Sequence, residues 1–249
     1  MRVIAYVIHT RPFQENKVLL DLFSFEFGLL RGVYRLSKKG GRVMPSPFVR
    51  YEVELKGQSE LKTILAIESF QSPIRLDGVQ LYAGLYVHEL LSRLVTSSVP
   101  VPDLFILYEW LLQSVHLGAP IAPLLRRFEV GLFQELGMAI NMSYTGSGEE
   151  LQTSQLYSFD FKFGLRPFLG NKPKQLPVMF IDGLLAKKYM SGEWADKDVL
   201  VMSKELHRNW LDYLLSGKAV EARRLLPNQV YGGERLYGIP KFSIKEVIE

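Results

Sequence analysis

The strict alternation of apolar and charged residues from Val49 to Lys56 restricts the fold of this chain more than any other feature. Apolar side chains occupy the odd positions and charged ones the even positions, which is the period of a half-buried β-strand. Five short strands, with no long helix between them, predict a small closed barrel of the OB type, because closure leaves no unpaired edge. An SH3-like barrel and an open sheet are the alternatives. The other four β-rich segments are Arg2 to Thr10, Lys17 to Phe25, Leu29 to Leu36 and Leu61 to Phe70.

Helical periodicity replaces the β pattern after Gly78. Apolar residues recur at spacings of three and four in segments that are separated by breaks rich in glycine and proline. The fold class predicted is therefore α+β, with an N-terminal OB-fold barrel at 1–78 followed by an α-helical domain at 79–249. Helices are expected at Val79 to Thr96, Leu104 to Leu117, Leu124 to Leu136 and Val201 to Ser216, with a short basic helix from Lys218 to Leu226.

Local signals refine these helices. Asp103 is placed to cap the second helix and Gly137 to end the third. Asn141 to Thr153 is polar and rich in glycine and serine, which indicates a loop or linker, and Leu156 to Lys188 gives mixed short patterns. We therefore interpret residues 141–200 as a small irregular insertion in the helical domain. The expected buried stripe of the helix that begins at Val201 is Leu206, Trp210, Tyr213 and Leu214.

Composition and motifs exclude several classes of function. The chain has 249 residues and no cysteine, so disulfides, thiolate metal sites and cysteine nucleophiles are ruled out. Its four histidines lack metal-ligand spacing, and we find no nucleophile elbow, phosphate loop or dinucleotide fingerprint. His88 and Glu89 are neighbours on a helix and point apart, so we expect a surface or half-buried histidine there. We expect a non-enzymatic protein without cofactor or metal.

The expected location is the cytoplasm, without a membrane partner. The longest apolar runs fall short of the roughly 20 residues that a membrane-spanning helix needs. The N-terminal sequence becomes polar too soon for a secretory signal.

Positive charge is concentrated between Arg31 and Arg50. The whole chain has a net charge of only +4, whereas this stretch alone carries six Lys and Arg residues and no Asp or Glu. Glycines and prolines loosen its middle, which predicts a cationic loop between two strands. Charges spread over a loop without an enclosed pocket suit a polyanion better than a small metabolite. A solvated loop without a ligand is the alternative.

Aromatic rings lie among these charges, as in proteins that bind single-stranded nucleic acid by a cationic groove and base stacking. Tyr51 shares the apolar side of its strand, so Phe48, which lies beside two prolines, is the predicted stacking ring. The predicted nucleic-acid contacts are Arg31, Arg35, Lys38, Lys39, Arg42, Phe48, Arg50, Lys56 and Lys62.

A second basic cluster falls in the predicted helical domain. Arginines on a helix can hold the carboxylates of an acidic, hydrophobic peptide end. Spacing alone favours the alternative, in which Arg126 or Arg127 pairs within the chain with Glu129 or Glu135. The residues of this cluster are Arg126, Arg127, Lys218 and Arg223.

Six segments, in this order, carry a family resemblance: Ile8 to Phe13, Leu19 to Gly28, Glu60 to Ile64, Leu85 to Leu94, Leu125 to Gly137 and Leu215 to Lys218. Together they resemble the RecO family of bacterial DNA-repair and recombination mediators. The resemblance implies an OB-fold that binds single- and double-stranded DNA and anneals complementary strands in the cytoplasm, associated with the nucleoid. It also implies binding to the acidic C-terminal tail of the single-strand-binding protein, and joint action with RecR to load RecA. By position, the basic loop is then the DNA surface, and Arg126 is the residue that grips the tail.

Departures from the family pattern limit what can be carried over. Many members have a four-cysteine zinc site in the region that matches Asn141 to Lys188, and no zinc is expected here. The segment from Ser37 to Gly41 keeps the charge of the family's loop but not its pattern. Two other functions stay open: an RNA-binding barrel protein of another pathway, and an enzyme with its site in 156–188.

Overall fold

Five strands close into a barrel at the N-terminus of the chain, in the order β1-β2-β3-β5-β4. The computed structural model describes residues 1–36, 44–69, 71–169 and 179–226. Antiparallel pairing joins every neighbour except β3 and β5, which run parallel and close the barrel. The predicted OB-type barrel is confirmed. Its strands are β1 (Arg2–Pro12), β2 (Lys17–Ser24), β3 (Gly28–Arg35), β4 (Arg50–Lys56) and β5 (Leu61–Ser69).

The alternation in β4 has the predicted effect on side-chain direction. Tyr51, Val53 and Leu55 are buried in the barrel core together with apolar residues of the other strands. Glu52 and Glu54 face outwards. One side chain on β1, Arg2, lies 3.6 Å and 3.9 Å from these two carboxylates. The outer side of β4 is therefore a solvated face, as the pattern predicted.

Two compact units divide the chain after Ala119. The first unit contains residues 1–119 with 220–226, and hence the barrel, α1 (Val79–Leu94) and α2 (Pro102–His116). The second unit is residues 120–219 and begins with α3 (Ile121–Glu135). The boundary predicted from the sequence, after residue 78, coincides with the change from strands to helices. That residues 1–78 form a domain by themselves stays a prediction. In the described part of the chain, no helix is long and apolar enough to cross a membrane.

The start of α2 corrects one expectation. The helix begins at Pro102, and the residue in the cap position is Val101, which makes no side-chain cap hydrogen bond. Proline suits a first helical position because its fixed φ is helical and its missing N–H would have no partner there. Asp103 therefore lies inside the first turn, where its carboxylate faces the positive end of the helix dipole.

The segment with mixed sequence patterns forms regular structure in the second unit. A three-stranded sheet has the order β7-β6-β8, and two helices follow it. Tyr157 and Ile181 from this sheet are buried with Tyr189 and Val199 from the helices. The elements are β6 (Leu156–Asp160), β7 (Gly164–Pro167), β8 (Met179–Asp182), α4 (Gly183–Met190) and α5 (Lys197–Leu214).

The buried stripe of α5 differs in part from the prediction. Leu206 is buried as expected, but Tyr213 is 62% exposed. The rings of Trp210 and Tyr213 stack on each other outside the core, with centroids 5.3 Å apart. The core side consists of Leu206 with Val199, Leu200, Met202, Ser203, His207 and Leu211.

The segment after Lys218 returns to the first unit as a 3₁₀ turn, Glu221–Leu225, instead of the expected helix. The carboxylate of Glu89 on α1 accepts hydrogen bonds from the backbone N–H groups of Glu221 and Ala222, at 3.0 Å and 2.8 Å. Glu89 therefore anchors this segment on α1.

His88 is buried in the first unit, which corrects the expectation of a surface or half-buried residue. Its Nε2 lies 2.7 Å from the hydroxyl of Tyr108 on α2. The tyrosine ring packs in turn against Tyr6 and Phe23 of the barrel. Aromatic packing of this kind holds the barrel against α1 and α2.

The burial of His88 predicts a loss of stability in acid. Burial lowers its pKa from 6.5 to about 3. Below about pH 6.5 the unfolded chain therefore binds a proton that the folded chain does not, and stability falls as the pH drops. We expect this residue to lower the free energy of unfolding by about 1.4 kcal/mol per pH unit across that range.

Urea unfolding at a series of pH values measures this effect. The difference between the wild type and His88→Gln isolates His88 from His207, whose pKa burial also lowers. If the free energy of unfolding depends on pH equally in the wild type and in His88→Gln, the lowered pKa of His88 is contradicted.

Candidate nucleic-acid interface

β3 places two of the predicted cations on the outside of the barrel. Arg31 and Arg35 are exposed, whereas the neighbouring residue Leu30 points into the barrel and is part of its core. In the β2–β3 hairpin, Arg35 lies opposite Lys17 and Arg31 opposite Asp21. The outer surface of this hairpin therefore carries the cation pair Lys17 and Arg35 at one end and Arg31 beside Asp21 nearer the turn.

Asp21 is buried, with only 6% of its surface exposed, and it holds two of the arginines of this surface in place. Its Oδ1 accepts a hydrogen bond from Arg31 Nε at 2.5 Å, and its Oδ2 accepts one from Arg11 Nη2 at 2.8 Å. Burial raises the pKa of Asp21, but the hydrogen bonds and charges of the two arginines outweigh it, so the pKa lies below its ordinary value. One ionised carboxylate thus holds two guanidinium groups, each about half exposed, with a net positive charge.

Arg11 and Lys17 were missed by the sequence prediction, which considered the charge run from Arg31 to Arg50 and the lysines on the strands after it. The turn between β2 and β3 is the sequence signal for this register, but the predicted turn, Glu26-Phe27-Gly28, lies one residue too late. Ser24 is opposite Gly28, so the hairpin is centred on Glu26, and this register puts Asp21 opposite Arg31.

The other predicted contacts that the structure describes in the barrel are Lys62, Lys56 and Arg50, and their surroundings differ from one another. Lys62, half-exposed on β5, donates a hydrogen bond to the carbonyl of Gly57 at 3.3 Å. Lys56 is exposed at the end of β4. Arg50 is half-buried and forms an ion pair with Glu109 on α2, with Nε 3.2 Å from Oε1. The charge of Arg50 is therefore offset by Glu109, while Lys56 and Lys62 still face solvent. Lys38, Lys39 and Arg42 lie outside the described residues.

Phe48 corrects the prediction of a stacking ring. It is only 4% exposed, and its ring packs on His88 with centroids 4.6 Å apart. Gly84 on α1 makes room for this ring, since a Cβ at that position would lie 2.6 Å from it. Phe48 has a positive φ of 60° and its side chain lies in the core of the first unit, so in this structure its ring is closed to a nucleotide base.

Arg126, expected to grip a partner's tail, is buried within the second unit. Its Nη2 donates a hydrogen bond to Glu129 Oε1 at 2.7 Å, and its side chain is only 4% exposed. This confirms the intramolecular pairing that the spacing favoured. The other oxygen of Glu129 lies 2.6 Å from His207 Nδ1, and His207 Nε2 lies 2.8 Å from the Tyr189 hydroxyl.

A neutral His207 with its proton on Nδ1 satisfies both of its contacts, donating to Glu129 and accepting from Tyr189. Burial, the largest influence, lowers the pKa of His207 and thus favours this neutral form, although the hydrogen bond to Glu129 opposes it. The network is a buried chain of four polar side chains that joins α3, α4 and α5. Arg126 in this arrangement is a structural residue.

The other members of the second basic cluster are more accessible. Arg127 is half-buried, and burial lowers its pKa. Lys218 is exposed at the end of the second unit, and half-buried Arg223 belongs to the first unit. Binding of a partner's tail by these residues stays a prediction.

Residues 141–188, where the sequence resemblance raised a four-cysteine zinc site, belong to the second unit. The chain has no cysteine to supply thiolate ligands. Within residues 1–36, 44–69, 71–169 and 179–226, no group of three or more His, Asp or Glu side chains could hold a metal ion. Apolar packing around Tyr157, Phe159 and Ile181 holds this sheet instead.

Comparison with known families bears on all of these surfaces. Residues 1–73 match the family described as Recombination protein O N terminal, and residues 75–178 match the family described as Recombination protein O C terminal. This chain belongs to the RecO family. The two matches meet at the change from β5 to α1, and the family resemblance read from the sequence is confirmed.

Individual RecO proteins resemble the chain over nearly its whole length. "DNA repair protein RecO" of Pseudomonas paraeruginosa is 33% identical over 225 residues, which is 90% of this chain and 94% of the relative. The protein of the same name from Stutzerimonas stutzeri is 34% identical over 224 residues, with 90% and 92% covered. The one from Cellvibrio japonicus is 34% identical over 226 residues, with 89% and 94% covered.

Proposed function

We propose that this RecO protein is a non-enzymatic mediator of recombinational DNA repair that binds single- and double-stranded DNA and anneals complementary strands. Its place of action is the cytoplasm, at the nucleoid. Together with RecR it helps to load RecA onto strands that are coated by the single-strand-binding protein. Family membership supports the repair role.

The observation that carries the DNA-binding part is the outer surface of the β2–β3 hairpin. Arg11 and Arg31 bind one carboxylate there, Lys17 and Arg35 lie opposite each other further along the same hairpin, and the basic residues Lys38, Lys39 and Arg42 follow soon after in the sequence. Cations spaced along a surface neutralise successive phosphates and release their counterions, which drives binding without regard to sequence.

Annealing follows from the same electrostatics. Two strands repel each other through their phosphates, and a cationic surface that binds both lowers this repulsion so that bases can meet. The protein needs no bond-breaking step and no nucleotide for this function. The acidic tail of the single-strand-binding protein is proposed to bind through the second basic cluster where it reaches the surface, at half-buried Arg127 and exposed Lys218, whereas Arg126 is buried.

A fluorescence assay of strand annealing tests the proposal. We expect the wild-type protein to accelerate pairing of complementary DNA strands at low salt, with the acceleration fading as salt screens the phosphate contacts. Failure to accelerate annealing under conditions where both strands are bound would overturn the proposal. Competition by single-stranded RNA that is stronger than by DNA would favour the RNA-binding alternative instead.

A further inference from the structure

A cavity of about 360 Å³ opens in the first unit beside Arg31. It lies where the outer faces of β2 and β3 meet the turn after β1, the start of β5 and the end of α1. A volume of this size falls at the lower end of the range for small-ligand sites, about 300–1,000 Å³. Its apolar walls are Phe13, Leu19, Leu29, Leu61 and Val95.

The polar groups of the cavity include both hydrogen-bond donors and acceptors. Arg31 is a donor, and Asp21 and Glu60 are acceptors, whereas Ser92 and Ser97 can act as either. The loop after α1 is tied to the barrel, since the Ser98 N–H donates a hydrogen bond to the Leu29 carbonyl at 2.9 Å. The cavity is therefore formed by segments with fixed positions.

Phe13 presents an aromatic ring at this cavity. The ring is 38% exposed although it lies in a turn that is well anchored. The Phe13 N–H donates a hydrogen bond to the Lys17 carbonyl at 2.9 Å, and Gln14 adopts a left-handed conformation with φ of 59°. The tight turn thus keeps the Phe13 ring accessible to solvent, in contrast to the ring of Phe48, which is buried.

The chemistry of the lining distinguishes among possible occupants. Arg31 offsets one of the two carboxylates in the lining, Asp21, so Glu60 leaves an excess of one negative charge that disfavours an acidic peptide end or a phosphate group inside the cavity. A nucleobase is uncharged, has donors and acceptors along its edge, and has an apolar face that stacks on aromatic rings. Arg31 and Asp21 belong to the lining itself, whereas Arg11, which also binds Asp21, does not line the cavity and is about half exposed for a phosphate.

We infer that this cavity receives one unstacked base of a single DNA strand whose phosphates lie along the β2–β3 surface. The inference rests on the proposed DNA-binding function and specifies which form of DNA this site takes. A base in a duplex is paired and stacked, and it enters such a cavity only at the cost of unpairing. The site therefore favours single strands and releases its base when the complementary strand pairs with it.

The test is a cycle that combines Phe13→Ala with removal of the bases from the strand. We expect Phe13→Ala to weaken binding of a single-stranded oligonucleotide about tenfold, which is the size of a lost base–ring stack. On an abasic strand with the same number of phosphates, the same substitution is expected to change affinity less than about twofold, since phosphate contacts remain.

Phe25→Ala is the matched control, because Phe25 is a barrel aromatic of similar exposure, 41%, that does not line the cavity. It is expected to leave both affinities unchanged, with folding of each variant checked by circular dichroism. Equal losses on both strands, or no loss on either, would overturn the base site. The base site would also be overturned if Phe13→Ala weakened binding of an acidic peptide but left binding of DNA unchanged.

Failure of the proposed function has a separate signature. A wild-type protein that does not bind single strands at all contradicts the DNA-binding function itself. Salt-sensitive binding that is indifferent to Phe13 contradicts only the cavity and leaves the function standing.

Discussion

Reversing the charges of Lys38, Lys39 and Arg42 together, each to Glu, is expected to weaken binding to single-stranded DNA by about two orders of magnitude near 0.1 M salt. Each phosphate contact with a single strand contributes about 0.7 to the dependence of log affinity on log salt. Three lost contacts therefore remove about two logarithmic units at that concentration. Fluorescence anisotropy with a labelled oligonucleotide measures the change.

The matched control reverses three exposed cations of the second unit, Lys187, Lys197 and Arg208. It changes the net charge by the same amount and touches none of the predicted DNA contacts. We expect it to weaken binding several-fold at most, through the long-range field alone. If both triple variants lose affinity equally, net charge explains the binding and the basic loop has no special part in it.

The second large effect concerns stability. Glu129→Leu is expected to lower the free energy of unfolding of the second unit by about 3–5 kcal/mol, because it leaves the charge of buried Arg126 without this carboxylate. It also removes the acceptor of His207 Nδ1. Urea unfolding, followed by the fluorescence of Trp194 and Trp210 in this unit, measures the loss.

A double variant separates the buried charge from the loss of packing. Arg126→Met with Glu129→Leu removes both charges, and we expect it to be less destabilised than Glu129→Leu alone. Glu205→Leu, on the exposed side of α5, is the control for introducing a leucine and is expected to change stability by less than about 1 kcal/mol. A single variant Glu129→Leu that is as stable as this control would refute the structural role of the network.

This network bears on how tail binding is tested. Arg126→Ala removes a buried ion pair, so a variant that no longer recognises a coated strand is open to explanation by local unfolding. Lys218→Ala avoids this ambiguity, because Lys218 is exposed at the end of the second unit.

The barrel could be predicted from the sequence because its signal is local. Alternation in β4 depends only on which residues face the core, and the turn residues between strands lie within a few positions of them. Helix positions after Gly78 followed from their periodicity for the same reason. Residues 156–188 could not be assigned, because strands of four or five residues next to a short helix give too few periods to recognise.

The functional surface was predicted only in part, because charge in the sequence does not reveal its partner. Arg31 and Arg50 belong to one basic stretch, but Arg31 faces solvent beside Asp21, whereas Arg50 pairs with Glu109 on a helix far along the chain. Phe48 was assigned to the surface by its neighbours in sequence, and Arg126 by its position in the family resemblance. Tertiary packing against His88 buries Phe48, and no local pattern encodes that contact. The pairing of Arg126 with Glu129 was predicted from their spacing, whereas the burial of the pair was not.

The salt dependence of single-strand affinity, measured side by side on the wild type and the Lys38, Lys39 and Arg42 triple variant, tests the central claim most directly. If a cationic barrel surface and its loop neutralise phosphates, log affinity falls linearly with log salt for the wild type. The slope for the variant is then shallower by about 2. Identical slopes, or a wild-type affinity that salt does not change, would contradict electrostatic binding by this surface.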